Sequence, residues 1–294
     1  MILHGFCWKK QTFSYLCITC LGSLCLVRTF YRFVNIFWGD AYMLNEQQIE
    51  KYFEEGYVIP DFQLPEKTIE AIQNQHNALL MKHPEFRDYC PAVLQYDDGF
   101  VNFCRNKEIL DMVEQLIGPD IALWNSSFFA KPAKNGKATP WHQDGEYWPI
   151  RPLATCTVWV AVDDANRENG CLRIIKGSHK DARLLKHETN PSKELTLNQE
   201  LKKTEYDESK AVNLELKRGQ ISLHDVFLVH GSEPNTSDKS RRGMTMRFMP
   251  TTSLFDHKLA REQFNNMRVP DHSERKIYHM RGVDRCGQNR LIYA

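Results

Sequence analysis

The stretch 120-DIALWNSSFFA-130 is where the chain changes character. Before it, apolar residues recur every three or four positions. After it they come in short β-branched and aromatic runs: 155-TCTVWVAV-162, 171-CLRII-175, 212-VNLEL-216, 221-ISLHDVFLVH-230 and 244-MTMRFM-249. Most are bounded by Gly, Pro, Asn or Asp, the pattern of a β-sandwich or barrel. The charged segment 180–210 shows no clear period and reads as an insertion between strands.

Upstream of Pro119 the spacing predicts helices. Ile109, Met112, Val113, Leu116 and Ile117 form one face, ended by Gly118-Pro119. Ile69, Ile72, His76, Leu79 and Leu80 repeat the pattern over 65–82, and His76 on that stripe reads as a packed core histidine. Asn45 and Gln48 form a capping pair before Ile49, Tyr52 and Phe53, with Gly56 as the stop. The expectation is a helical N-terminal layer buttressing an all-β core over roughly 120–250, in one domain spanning 43–294.

Residues 1–42 look different. Lys9, Lys10, Arg28 and Arg32 flank 12-TFSYLCITCLGSLCLV-27, which is shorter than the ~20 apolar residues that span a bilayer. A signal or short anchor, a targeting presequence, and an extension outside the working protein all fit; the helix start directly after Met43 favours the extension. The nine cysteines, four of them before residue 26, have no framework spacing. That argues for reduced thiols and a cytoplasmic setting, with Cys17-Ile-Thr-Cys20 a lone CxxC that lacks the second pair of a zinc site. A net charge of +1, from 38 basic and 37 acidic residues, does not suggest a nucleic-acid partner, which usually needs a basic face. A small neutral or zwitterionic molecule remains open as the partner, with no stable membrane partner expected of the core.

The chemistry centres on 139-TPWHQDGEYWPI-150. In a strand, residues two apart share a face, so His142 and Asp144 would project together. His230, at the end of another apolar run, offers a third ligand. Two histidines and one carboxylate make the facial triad of non-haem Fe(II) oxygenases. An HxD pair in a chain with eleven histidines is a weak signal, and a solvated turn is the bland alternative. Arg241, eleven residues past His230, strengthens it, because a guanidinium near a metal suits a dicarboxylate.

Three ordered blocks, WHQDGEYWPIRP (141–152), TVWVAVDDANRENGCLRIIKGSHK (157–180) and HGSEPNTSDKSRRG (230–243), resemble the phytanoyl-CoA dioxygenase family of Fe(II)/2-oxoglutarate oxygenases. The resemblance runs from about Leu44 to about Arg290. It implies a double-stranded β-helix (jelly-roll, cupin-like) core, Fe(II) on His142, Asp144 and His230, and the 2-oxoglutarate C5-carboxylate on Arg241. It implies cosubstrate contacts for Trp159 and Ser232, and more weakly for Ser127 and Asn125. Arg242 competes with Arg241, but adjacent strand residues face opposite ways. Arg247 is expected on the scaffold or substrate side, and His224 in a structural or supporting place. Glu146, Tyr147, Trp148 and Arg151 follow the ligands and would line the substrate side, a mixed polar and aromatic surface suited to a small polar metabolite.

The implied reaction is hydroxylation of that metabolite with O2 and 2-oxoglutarate, releasing succinate and CO2. Related halogenases lack the carboxylate ligand, and Asp144 is present. The alternatives are a non-catalytic metal-binding jelly roll, against which the intact set of His142, Asp144, His230 and Arg241 argues, and a cupin-type metal hydrolase or isomerase, which has no use for Arg241.

Overall fold

In the computed structural model, which describes residues 44–267 and 271–293, the helices come first and the sheets follow. Helix α1 (Glu46–Glu55) is closed at its start by the reciprocal Asn45–Gln48 capping box and at its end by Gly56 at φ 86°. Strand β1 (Tyr57–Val58) leads to α2 (Glu66–Lys82), and β2 (Tyr89–Cys90) to two single-turn helices, α3 (Val93–Tyr96) and α4 (Val101–Cys104). Helix α5 (Lys107–Ile117) buries Ile109, Met112, Val113 and Leu116, the face read from the sequence. Its buried Gln115 reaches back to bond both the N–H and the C=O of Leu44, at 2.8 and 2.9 Å.

Two sheets carry the rest. Strand β3 (Ile121–Lys131) grows out of the opening stretch and pairs along its whole length with β13 (Arg241–Pro250). With β6 (Cys156–Ala161), β11 (Ile221–Asp225), β15 (Ile277–Arg281) and β16 (Leu291–Ile292) they order the large sheet as β1-β11-β6-β13-β3-β15-β16, and β2 also pairs with β3. The small sheet runs β10-β7-β12-β4, from Ala211–Leu214, Leu172–Ile175, His230–Ser232 and Thr139–His142. Two ribbons stand apart: β5 (Ile150–Arg151) with β14 (Leu254–Phe255), and β8 (His187–Thr189) with β9 (Gln199–Leu201). Helix α6 (His257–Met267) follows β14. This is a jelly-roll core with helices on one face, as expected, although the two sheets do not join into a closed barrel.

The strands differ from the reading in two places. The run 221–230 is not one strand: it breaks after Asp225, whose carboxylate accepts from Phe227 N at 2.8 Å, and resumes at His230. The segment 180–210 carries the β8–β9 hairpin rather than lying wholly irregular.

The main core lies between the helices and the outer face of the large sheet: Ile69, Ile72, Val113 and Phe100 meet Val158, Val160, Leu223, Met244 and Met246. Alternation therefore turns Thr157, Trp159, Ser222, His224 and Thr245 to the inner face. Cys90, Cys104, Cys156 and Cys171 are buried free thiols and Cys286 is half-buried. Among the described residues no helix is long and apolar enough to cross a membrane. The readings made for residues 1–42, including the CxxC pair, lie outside the described residues.

His76 is fully buried in this core, stacked on Phe128 at 4.0 Å, with both ring nitrogens unpartnered. Burial foremost, then the charge of Arg242, lowers its pKa to about 4 from 6.5. The unfolded chain therefore binds a proton that the folded chain refuses between those values, and stability drains as pH falls through that window. His76→Leu removes the uptake. The stability difference between His76→Leu and the native chain should grow in the variant's favour from pH 7 to pH 4.5, measured by urea unfolding at each pH.

Candidate metal centre

His142, Asp144 and His230 come together where the small sheet faces the large one. Strand β4 ends at His142 and β12 begins at His230, and the two residues are register partners. Their rings lie 4.2 Å apart. Asp144 does not stand on the strand, as the two-residue spacing implied. It opens the turn after β4, and that turn swings its carboxylate back to the histidines. One ligand atom from each of the three lies within 4.8 Å of the others, and all three residues are buried.

What holds the turn is Gln143, the residue between the two ligands. Its Nε2 donates to Phe227 O at 2.7 Å and Arg183 O at 3.2 Å, and its Oε1 accepts from Leu185 N at 2.7 Å. Its backbone N–H reaches His187 Nε2 at 3.1 Å. One amide thus fastens the 183–187 segment of the insertion to the ligand turn.

The donor set fits a metal. His142 Nδ1 sits 2.8 Å from Pro140 O, and His230 Nδ1 2.8 Å from Leu228 O. A carbonyl only accepts, so each Nδ1 carries the proton and each Nε2 keeps its lone pair for an ion. Burial foremost lowers the His142 pKa to about 4 and the His230 pKa well below 6.5, so both rings are neutral at physiological pH. For Asp144, burial acts to raise the pKa but is outweighed, first by Arg247 and then by the neighbouring His224 and His230. The carboxylate is held well below its ordinary value and stays ionised.

A small cavity opens beside this set, with Phe129, Trp159 and Leu172 as apolar wall and Arg241 in its lining. Arg241 is 2% exposed. Its Nε and Nη2 donate to Gly170 O at 3.1 and 2.7 Å, and its Nη1 to Phe129 O at 2.8 Å. No carboxylate pairs with it among the described residues, and burial lowers its pKa to about 10. Its guanidinium carbon lies 5.5 Å from the Trp159 ring centre. Two glycines make this arrangement fit. A Cβ on Gly243 would meet the Trp159 ring at 2.0 Å, and one on Gly170, at φ 78°, would meet Glu233 O at 2.4 Å. Arg242 faces the other way and forms a two-point pair with Asp163, at 2.7 and 2.9 Å.

The remaining expected residues divide. Ser232 lines the same cavity as Arg241 and Trp159. Ser127 and Asn125 are not brought to it: both donate to Pro91 O, and they are held by Arg247 and Arg275 respectively. Glu146 lies 3.3 Å from His187, and Tyr147 is half-buried beside it. Trp148 is core, 4.5 Å from Trp124 and packed with Ile150, Val226 and Phe255. Arg151 is exposed and turned onto the carbonyls of Trp148 and Ile150. Sequence reasoning missed Gln143, Thr157 and the Asp144 partner role of Arg247. The signal for the last two is register: Thr157 lies two residues before Trp159 on one face, and Arg247 six after Arg241.

A sequence model for a family described as phytanoyl-CoA dioxygenase matches residues 52–243. The chain is 29% identical over 237 residues to the peroxisomal phytanoyl-CoA dioxygenase of Homo sapiens, covering 71% of this chain and 69% of that one. It is 31% identical over 212 residues to a phytanoyl-CoA dioxygenase domain-containing protein 1 homolog of Dictyostelium discoideum, covering 71% and 70%. Among solved structures, EvdO2 from Micromonospora carbonacea var. aurantiaca, complexed with 2-oxoglutarate, superposes with a TM-score of 0.58 at 21% identity, over 70% of this chain and 91% of that one.

Replacing Gln143 leaves Leu185 N–H and two carbonyls without their partner. Gln143→Ala is expected to lose about 1–3 kcal/mol of stability. It should also speed proteolytic cleavage within 180–205 relative to the rest of the chain, read by mass spectrometry of the fragments.

Proposed function

The chain belongs to the phytanoyl-CoA dioxygenase family, whose members are 2-oxoglutarate-dependent non-haem iron dioxygenases, and on that premise we propose that it hydroxylates a C–H bond of a small polar metabolite, releasing succinate and CO2. The observation that carries this reading is the pairing of a buried, ionised Asp144 between two neutral histidines with a buried Arg241 that has no carboxylate of its own. His142, Asp144 and His230 would hold Fe(II). When bound, that iron supplies the activation of O2 and the oxidation of the 2-oxo acid and the substrate.

The chain's own side chains do the rest. Arg241 receives the far carboxylate of 2-oxoglutarate: Nε–H and one N–H of each Nη are spent on carbonyls, which fix the plane of the guanidinium before the anion arrives, and the second N–H of each Nη is left for the anion. Ser232, Thr139 and Thr245 offer hydroxyls along the same wall. Phe129, Trp159 and Leu172 exclude water between the two ends, which strengthens the charge interactions inside. His142 and His230 hold their protons on Nδ1 against backbone carbonyls, so neither competes with the anionic cosubstrate as an acid. Glu146 and Tyr147, at the turn after Asp144, support a polar substrate on that side. A metal hydrolase would have no use for the unpaired Arg241.

Asp144→Ala is expected to abolish Fe(II)-dependent succinate formation from 2-oxoglutarate, followed by chromatography with and without a panel of small polar substrates. Succinate release equal to that of the native chain would end the oxygenase reading. Arg241→Ala is expected to weaken 2-oxoglutarate by at least about tenfold, the loss of a charged hydrogen-bonded pair. Calorimetry on the Ni(II)-loaded protein measures it, and an unchanged affinity would remove Arg241 from the cosubstrate site.

A further inference from the structure

Three strands of the large sheet put one residue each on Asp144. Thr157 of β6 is the register partner of His224 on β11 and of Arg247 on β13, so the three form a single row across the inner face. Asp144 Oδ1 lies 3.2 Å from Arg247 Nη2 and 3.9 Å from His142 Nε2. The other oxygen, Oδ2, accepts from Thr157 Oγ1 at 3.2 Å and faces His224 Nε2 at 3.5 Å.

His224 is the unexplained member of the row. It is 2% exposed, and both of its ring nitrogens are without a hydrogen-bond partner. It falls outside the ligand set of His142, Asp144 and His230, so it is not a fourth ligand. It is not packing for the main core either, because Ile221 and Leu223 on the same strand supply that from the opposite face. Its ring lies 5.0 Å from that of His230 and it lines the same cavity.

We propose that His224 is the positioning residue of Asp144: its Nε2–H, facing Oδ2 at 3.5 Å without yet bonding it, closes onto that oxygen when a metal is held, so that Oδ1, on the His142 side, is the oxygen offered to the metal. The inference rests on the reading of the triad as an iron site. A carboxylate free to rotate binds an ion through either oxygen or both, and two-point binding would consume a position the cosubstrates need. Arg247 pulls on Oδ1 and so competes with the metal for it. A donor on Oδ2 opposes that pull, and the Thr157 hydroxyl with its single proton shares the task.

The test uses Co(II) as an air-stable probe of the apo protein, read by its d–d absorption and by its dissociation constant. His224→Leu is expected to bind Co(II) roughly 10–100-fold more weakly with an altered d–d band, whereas His224→Gln, whose amide can reach the Nε2 position, should stay within about threefold of native. His224→Asn, with a donor too short for Oδ2, should behave as the leucine variant does. Metal-free melting temperatures of all three near the native value separate lost positioning from lost folding. Leucine binding as tightly as native, or glutamine losing as much as leucine, overturns the proposal. If the native protein binds no Co(II), or His142→Ala binds it undiminished, the triad reading itself fails and takes this inference with it.

Discussion

The structure turns on one buried carboxylate. Asp144 is enclosed between the sheets, where an isolated charge would be strongly disfavoured. It stays ionised because Arg247 and Thr157 reach it from neighbouring strands of the large sheet, while the small sheet supplies His142 and His230 on its other side. Either sheet alone would leave the charge half-served. The packing of the two layers and the ionisation of the ligand are therefore one requirement, and the register of β6 with β11 and β13 is what meets it.

At the other end of the cavity the balance is reversed. Arg241 and Lys131 are register partners, both nearly inaccessible, and each satisfies donors on backbone carbonyls instead of carboxylates. Burial, and then the charge of Arg241, presses the Lys131 pKa well down. A buried guanidinium without a matched anion is costly, and on the proposed reading a carboxylate of the cosubstrate supplies that anion. Gly170 and Gly243 belong to the same account: one brings its carbonyl under the guanidinium, the other clears the space that the Trp159 ring occupies.

Much of this was legible in the sequence because it follows from period and count. Helical stripes, the capping pair at Asn45, the strand runs, and the eleven-residue interval from His230 to Arg241 each express a local rule. What escaped was set by pairing across the sheets. Nothing near Thr157 or Arg247 announces a contact with Asp144; only the register of distant strands makes it. Trp148 and Arg151 follow the ligands closely, yet one falls into the second core and the other turns outward, since a turn does not keep the alternation of a strand. Ser127 and Asn125 do face inward, but Arg247 stands between them and Asp144 and takes up the Ser127 hydroxyl. Gln143 was passed over because a glutamine between two ligands carries no pattern at all.

The division between strand and turn also separates two ways in which the residues of the site are held. The ligand histidines and Arg241 stand on strands, and Asp144, though on a turn, is held by partners on strands, so each is pinned by register and by the layer behind it. The turn that carries Asp144 and the insertion 180–210 meet through Gln143 and through the 3.3 Å approach of Glu146 to His187, while Thr196 of the insertion bonds Thr139 of β4 at 3.0 Å. An insertion of different length or charge would change what meets this turn while β4, β12 and β13 held His142, His230 and Arg241 in place. It could do so only while it still met the Gln143 amide, because that side chain lies between the two ligands. Gln143 is thus the point where the insertion and the turn that carries Asp144 are coupled in this chain.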